Sequence, residues 1–264
     1  MDVIIFGGQS NMQGQTECLS ECEIVPGAAE YKYLTDEAVP LKNPVGEDIT
    51  YDGKEGILFD YGVNGSEWLQ TNALAAACYG HTNMVPSFCR SYIDVTGRDV
   101  MAVHAAKGST TVAQWMPGTL GYDVLVRKSA AALRKADSPD HVWFVWLQGE
   151  SDAIEGRDKA YYKNMLRGLA DGLKLDLGIE KFCVIRVGRF TNDDRDLEII
   201  TAQDEICESD PDFLMLTTVT TELNQMPEYM NPEAVGHFGA KGLEYLGSIA
   251  GRALGEYCLN LKGV

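Results

Sequence analysis

Val3-Ile4-Ile5-Phe6-Gly7-Gly8-Gln9-Ser10-Asn11-Met12-Gln13-Gly14 joins an unbroken apolar run to a serine flanked by glycines. Four apolar residues without a polar interruption suit a strand buried on both faces, as in a parallel sheet covered by helices. The glycines permit a sharp turn at the strand's carboxyl end, the edge where open α/β sheets place their ligands. The spacing is not the G-x-G-x-x-G of a dinucleotide loop, because Gly7 and Gly8 are adjacent, and the lysine of a P-loop is missing. Nor is it a G-x-S-x-G elbow, since Met12 stands where the second glycine belongs. Taken alone, the fragment leaves Ser10 either a nucleophile or a turn residue capping a helix.

Further along the chain the same alternation recurs. Apolar strands are expected at Val100-Met101-Ala102-Val103, Val142-Trp143-Phe144-Val145-Trp146-Leu147, Phe182-Cys183-Val184-Ile185 and Phe213-Leu214-Met215-Leu216. Between them run helical stripes: 86–95, Leu125 to Ala136 stopped by Ser138-Pro139, Tyr162-Leu166-Leu169-Leu173, Ile199-Ile200-Ile206, and Leu243-Leu246-Ala250-Leu254-Tyr257. A shorter alanine-rich helix is expected over 72–78. Five strands separated by helices predict an α/β fold, a mainly parallel five-stranded sheet with helices on both sides, in one domain spanning 1–264. Residues 15–60 carry Pro26-Gly27, Pro40, Asn43-Pro44 and Asp52-Gly53 with little periodicity, as in a functional loop or lid.

Composition narrows the function. With 264 residues, 45% of them hydrophobic, the chain can bury a substantial core. A net charge of −17 repels phosphate backbones and anionic bilayers, so neither nucleic acid nor membrane is expected as a partner. No run approaches the roughly 20 apolar residues that span a bilayer. The N-terminus opens directly on a strand, so a soluble cytoplasmic protein is expected, or a secreted or periplasmic one if a signal segment was removed. Cysteines 18, 22, 78, 89, 183, 207 and 258 form no C-x-x-C pair. Cys78, Cys89 and Cys183 read as buried hydrophobes; Cys18 and Cys22 either pair or share a helical face.

Three strand ends carry the reactive residue types: Gly8-Gln9-Ser10-Asn11, His104-Ala105-Ala106-Lys107-Gly108-Ser109-Thr110, and Gln148-Gly149-Glu150-Ser151-Asp152. In a parallel sheet all three emerge at one edge, so residues about a hundred apart meet. A serine hydroxyl needs a base, most often histidine. Of four histidines, His81 reads as surface, His104 as structural, and His141 begins a strand. His237 lies in a loop entering the last helix, placed either to face the sheet edge or to cap and pack. Asp152 with Glu155 fits a capping box.

Gly8-Gln9-Ser10-Asn11-Met12-Gln13-Gly14, Lys107-Gly108-Ser109 with Trp115, Trp146-Leu147-Gln148-Gly149-Glu150-Ser151-Asp152 and His237-Phe238 together resemble the sialate O-acetylesterase and acetylxylan esterase branch of the SGNH hydrolases. The matches come in family order from residue 3 to about 250. The resemblance implies a three-layer αβα sandwich, metal- and cofactor-free serine-ester hydrolysis, and removal of acetyl groups from an acetylated carbohydrate. It makes Ser10 the nucleophile and His237 the general base. The N–H groups of Ser10 and Gly108, with the Gln148 amide, are then the oxyanion donors.

The sequence departs from the family pattern at one position: the usual triad aspartate, three residues before the histidine, is Ala234 here. Glu150 is the first candidate to orient His237 and Glu233 the second. The missing aspartate also leaves open a non-catalytic carbohydrate-binding protein on the same scaffold. No long apolar segment offers an acyl channel, so the acyl group should be small; a thioester or lysophospholipid is the other hydrolase alternative. The acidic surface favours neutral acetylated xylan or oligosaccharide over sialate, unless a basic patch at Lys107 or Arg189 reverses it. Trp68 and Trp115 are candidates to stack on sugar rings.

Overall fold

A computed structural model describes residues 1–14, 16, 22–33, 35–46 and 82–261. The expectations for the 72–78 helix, Cys18, Cys78, His81 and Trp68 fall outside these residues. Seven strands form one sheet: β1 (Asp2–Gly8), β2 (Ala28–Lys32), β3 (Glu37–Pro40), β4 (Val100–His104), β5 (Val142–Leu147), β6 (Lys181–Ile185) and β7 (Phe213–Thr217). Their order is β3-β2-β4-β1-β5-β6-β7, and every pairing is parallel except the β2–β3 hairpin. The α/β class and the five expected strands are borne out; the strand count is corrected to seven among the described residues. The two additions lie in the segment expected to be irregular. β2 is short and mixed in polarity, and β3 is an edge strand ending in Pro40, a position that tolerates a residue without an N–H.

Eight α-helices accompany the described strands: α1 (Ser10–Gln13), α2 (Val85–Thr96), α3 (Leu120–Ala136), α4 (Glu150–Ile154), α5 (Lys159–Leu177), α6 (Asp194–Ser209), α7 (Thr220–Leu223) and α8 (Ala240–Asn260). The period-two alternation of the strands divides their side chains between two cores. Val3 and Ile5 of β1, with Phe144 and Trp146 of β5, pack against Leu125 of α3, Leu166 and Leu169 of α5 and Ile199 of α6. Ile4 and Phe6, with Trp143 and Val145, pack against Phe88 of α2 and Leu243, Leu246 and Ala250 of α8. A strand buried on both faces must be apolar throughout, which is why β1 and β5 read as continuous runs. Helices on both faces make the three layers, the arrangement of SGNH hydrolases. No described helix is long and apolar enough to cross a membrane.

The chain leaves β1 toward β2–β4 on one side and returns to β5 on the other. β1 is thus the pivot of the sheet, and the carboxyl ends of β4, β1 and β5 stand side by side. At such a reversal the following loops diverge and leave a crevice. Gly8 makes the exit from β1 possible: its φ is +138°, and a Cβ there would lie 2.0 Å from the Leu147 carbonyl oxygen.

Candidate active site

Ser10 is the first residue of α1, directly after Gln9, and is 4% exposed. The one-turn helix is held to the sheet by the Gln9 N–H donating to the Leu147 carbonyl at 3.0 Å. His237 approaches from the loop between the 3-10 turn Pro227–Tyr229 and α8. That loop closes on itself: the Asn231 N–H donates to the His237 carbonyl at 2.8 Å, and the His237 N–H to the Ala234 carbonyl at 3.0 Å. Residues 227 apart in sequence thereby meet, with Nε2 of His237 2.8 Å from Oγ of Ser10.

The other ring nitrogen fixes the tautomer. Nδ1 lies 3.1 Å from the Val235 carbonyl oxygen, which can only accept, so Nδ1 carries the proton and Nε2 presents a lone pair to the serine hydroxyl. Burial holds the imidazole below its ordinary pKa, with the Val235 carbonyl pulling the other way. A neutral ring at neutral pH is the state a general base requires. Phe190 stands edge-on to the imidazole at 5.8 Å.

Glu150 does not reach His237. It is 3% exposed at the start of α4, and its Oε1 accepts from Nδ2 of Asn11 at 2.8 Å. Burial pushes its carboxyl upward, against the pull of the Asn11 amide. Glu233 is exposed, and its N–H donates to Oδ1 of Asn231. The structure therefore puts a backbone carbonyl where the sequence suggested a carboxylate.

The expected oxyanion donors are placed differently from one another. The Gly108 N–H donates to Oε1 of Gln13 at 2.6 Å. The Gln148 amide is fully buried and turned inward: its Nε2 faces Oδ2 of Asp152 at 2.6 Å, the Thr110 carbonyl at 2.8 Å and Oε1 of Gln9 at 3.1 Å. Its Oε1 accepts from the Tyr162 hydroxyl. Gln148 thus ties the three strand-end loops together from below, and Ser10 alone of the three donors lies directly at the His237 contact.

The readings of Asp152, Trp115 and Lys107 are corrected, while His104, Cys89 and Cys183 are buried as expected. Asp152 does not cap a helix; α4 begins at Glu150 after Gly149, and Oδ2 of Asp152 accepts from the Val112 N–H at 2.9 Å as well as from Gln148. Burial raises its pKa to about 6. Trp115 is a core residue, edge-on to Trp146 at 5.8 Å, with its Nε1–H donating to Oγ1 of Thr110, so it offers no platform to a sugar. Lys107 is buried rather than part of a basic patch, and Arg189 is partly exposed beside Asp196. His104 is buried against the Met12 carbonyl, and His141 meets Glu180. Cys22 is half-buried, Cys207 is a free, half-buried thiol, and Cys89, Cys183 and Cys258 are free and buried.

Asn11, Gln13 and the Val235 carbonyl are the site groups the sequence reading did not single out. The two side chains sit inside the opening motif, and their neighbourhood with Ser10 on one helical turn was the available signal. The carbonyl carried no signal at all.

Among solved structures, the chain is similar to a protein from Arabidopsis thaliana (TM-score 0.63, 16% identity, 98% of each chain covered). It is also similar to NanS (TM-score 0.63, 15% identity, 98% of this chain and 96% of that one). A carbohydrate acetylesterase from Xanthomonas citri matches with TM-score 0.56 and 12% identity over 97% of this chain and 56% of that one. Likenesses at these identities establish the fold. No curated protein matches the sequence. A family model described as carbohydrate esterase, sialic acid-specific acetylesterase, matches residues 1–254, nearly the whole chain. The chain therefore belongs to that carbohydrate esterase family and is a carboxylic ester hydrolase.

Proposed function

We propose that the protein is a serine esterase that removes O-acetyl groups from carbohydrate through an acetyl-enzyme on Ser10. The observation that carries this reading is the 2.8 Å contact from Nε2 of His237 to Oγ of Ser10, with the tautomer set by Val235. Ser10 loses its proton to Nε2 as Oγ bonds to the acetyl carbon, and the carbonyl oxygen becomes an oxyanion. Collapse breaks the bond to the sugar oxygen, which takes the proton from Nε2. Water repeats the sequence, its proton passing to Nε2 and then to the departing Oγ, and acetate is released.

The oxyanion is served by the Ser10 N–H. The Gly108 N–H joins it only when the Gln13 carbonyl moves off, since one N–H cannot satisfy both acceptors at full strength. His237 needs no carboxylate in this scheme, because a backbone carbonyl already orients its ring. The predicted test is a burst of nitrophenol from an aryl acetate, an acetyl adduct on Ser10, and loss of both in Ser10→Ala. Turnover that survives in Ser10→Ala defeats the reading.

For the sugar, the net charge of −17 supports a neutral acetylated xylan or oligosaccharide. The family description supports O-acetylated sialate as the second reading. Comparing kcat/KM on acetylated xylo-oligosaccharides and on O-acetylsialate separates them.

A further inference from the structure

Asn11 is bonded on both sides of the residue it does not touch. Its Nδ2 donates to Oε1 of Glu150 at 2.8 Å and toward the Gly236 carbonyl at 3.4 Å, while its Oδ1 accepts from the Phe238 N–H at 3.1 Å. Gly236 and Phe238 flank His237, and Asn11 follows Ser10 directly. One amide therefore spans the two chain segments that must register for Nε2 to meet Oγ. We infer that Asn11 and Glu150 are positioning residues for His237, Asn11 by tying the nucleophile turn to the histidine loop and Glu150 by fixing which way the Asn11 amide faces.

A flipped Asn11 amide would set its NH2 against the Phe238 N–H, two donors with nothing to accept, and its oxygen against Glu150 and the Gly236 carbonyl. Glu150 Oε1, an acceptor in a buried place, selects the working orientation. What the position requires is an acceptor, and a charge is not needed: among the described residues Oε2 of Glu150 has no hydrogen-bond partner, and burial favours the neutral carboxyl. An amide at 150 provides the same acceptor. A triad carboxylate behaves otherwise, since its replacement by an amide costs about ten-thousandfold in kcat in the serine-protease example.

This inference rests on the serine-esterase reading, and its test keeps the two apart. Steady-state kinetics on an aryl acetate are measured for the full chain with Glu150→Gln, Glu150→Ala, Asn11→Ala and Ser10→Ala, each checked for a cooperative melt. Glu150→Gln is expected within about threefold of the parent kcat. Glu150→Ala and Asn11→Ala are expected to lose roughly a hundredfold in kcat with KM little changed, the scale of a misplaced catalytic group. In a His237→Ala background Glu150→Ala should cost nothing further, because its effect runs through the histidine. A Glu150→Gln loss as large as that of Glu150→Ala overturns the inference, as does full activity in Glu150→Ala or additive losses with His237→Ala. If Glu150→Ala does not fold, Glu150→Gln and Asn11→Ala decide on the same terms. Surviving turnover in Ser10→Ala instead defeats the underlying reading and leaves the positioning result distinguishable from it.

Discussion

His237 turns its Nδ1 to the Val235 carbonyl oxygen, 3.1 Å away, two residues back in its own loop. A carbonyl orients the ring and fixes the tautomer as a carboxylate does, but it brings no full negative charge to stabilise the imidazolium. Burial then decides the direction, and the ring sits below its ordinary pKa of 6.5. The active form is the neutral one, so activity falls as pH drops through that lowered value. The acid limb of kcat/KM for an aryl acetate is expected to have its midpoint below 6.5. A midpoint above 7 would mean that a carboxylate reaches the histidine in the working enzyme.

The Gly108 N–H and Gln13 Oε1 lie 2.6 Å apart, and Nε2 of Gln13 is buried without a partner among the described residues. Replacing Gln13 by Ala takes the 2.6 Å acceptor away from the buried Gly108 N–H, at a cost to stability of about 1–3 kcal/mol. The same change spares the oxyanion the displacement of a protein acceptor, worth about 1 kcal/mol, or about fivefold in kcat. Gln13→Ala is therefore expected to melt lower and turn over faster. Thermal melts and kcat on one preparation check both halves; an unchanged or lower kcat removes Gly108 from the oxyanion site.

The central strands were legible because burial on both faces demands continuous apolar runs, and β1, β4 and β5 obey that rule. β2 and β3 escaped because Ala28–Lys32 and Glu37–Pro40 sit at the sheet's margin, where one apolar face or none suffices. In the site, the family resemblance singled out Ser10 and His237 but not the directions of amides. Gln148 and Gly108 were read as facing a crevice, and both instead donate to protein acceptors. The orienting group of His237 is a main-chain carbonyl, which every residue has and no sequence pattern marks.

Asp152 connects stability to pH. Its carboxylate is fully buried, and its pKa is raised from 3.8 to about 6 by burial, against the hydrogen bonds from Gln148 and the Val112 N–H. The folded state thus keeps the proton up to about pH 6, whereas the unfolded chain releases it near 3.8. The stability this gives is full below the unfolded value and is lost as pH rises through the folded one, a swing of about 3 kcal/mol at most. Asp152→Asn keeps an acceptor for Gln148 and Val112 but has nothing to ionise. Relative to the parent, the variant should gain stability between pH 4 and pH 7.5, read from denaturant midpoints. A parent–variant difference that stays constant with pH counts against the buried-acid account.

Gly236 holds the last relationship that sets the base. Its φ is +77°, and a Cβ there would fall 2.2 Å from Cε2 of Phe190, the ring that stands edge-on to His237. Gly236→Ala must move either the loop or the ring, and the loop carries the histidine. A displacement near 1 Å at a reacting group costs roughly a hundredfold, so kcat should fall on that scale while the melt, governed by the two cores on either side of the sheet, shifts little. Phe190→Ala in the same chain removes the clash but not the left-handed backbone strain, which is about 1 kcal/mol for an alanine. The double variant is therefore expected to recover most of the lost kcat and to melt slightly below the parent. No recovery in the double variant would show that the ring is not what holds the loop, and that Gly236 is required for its backbone conformation alone.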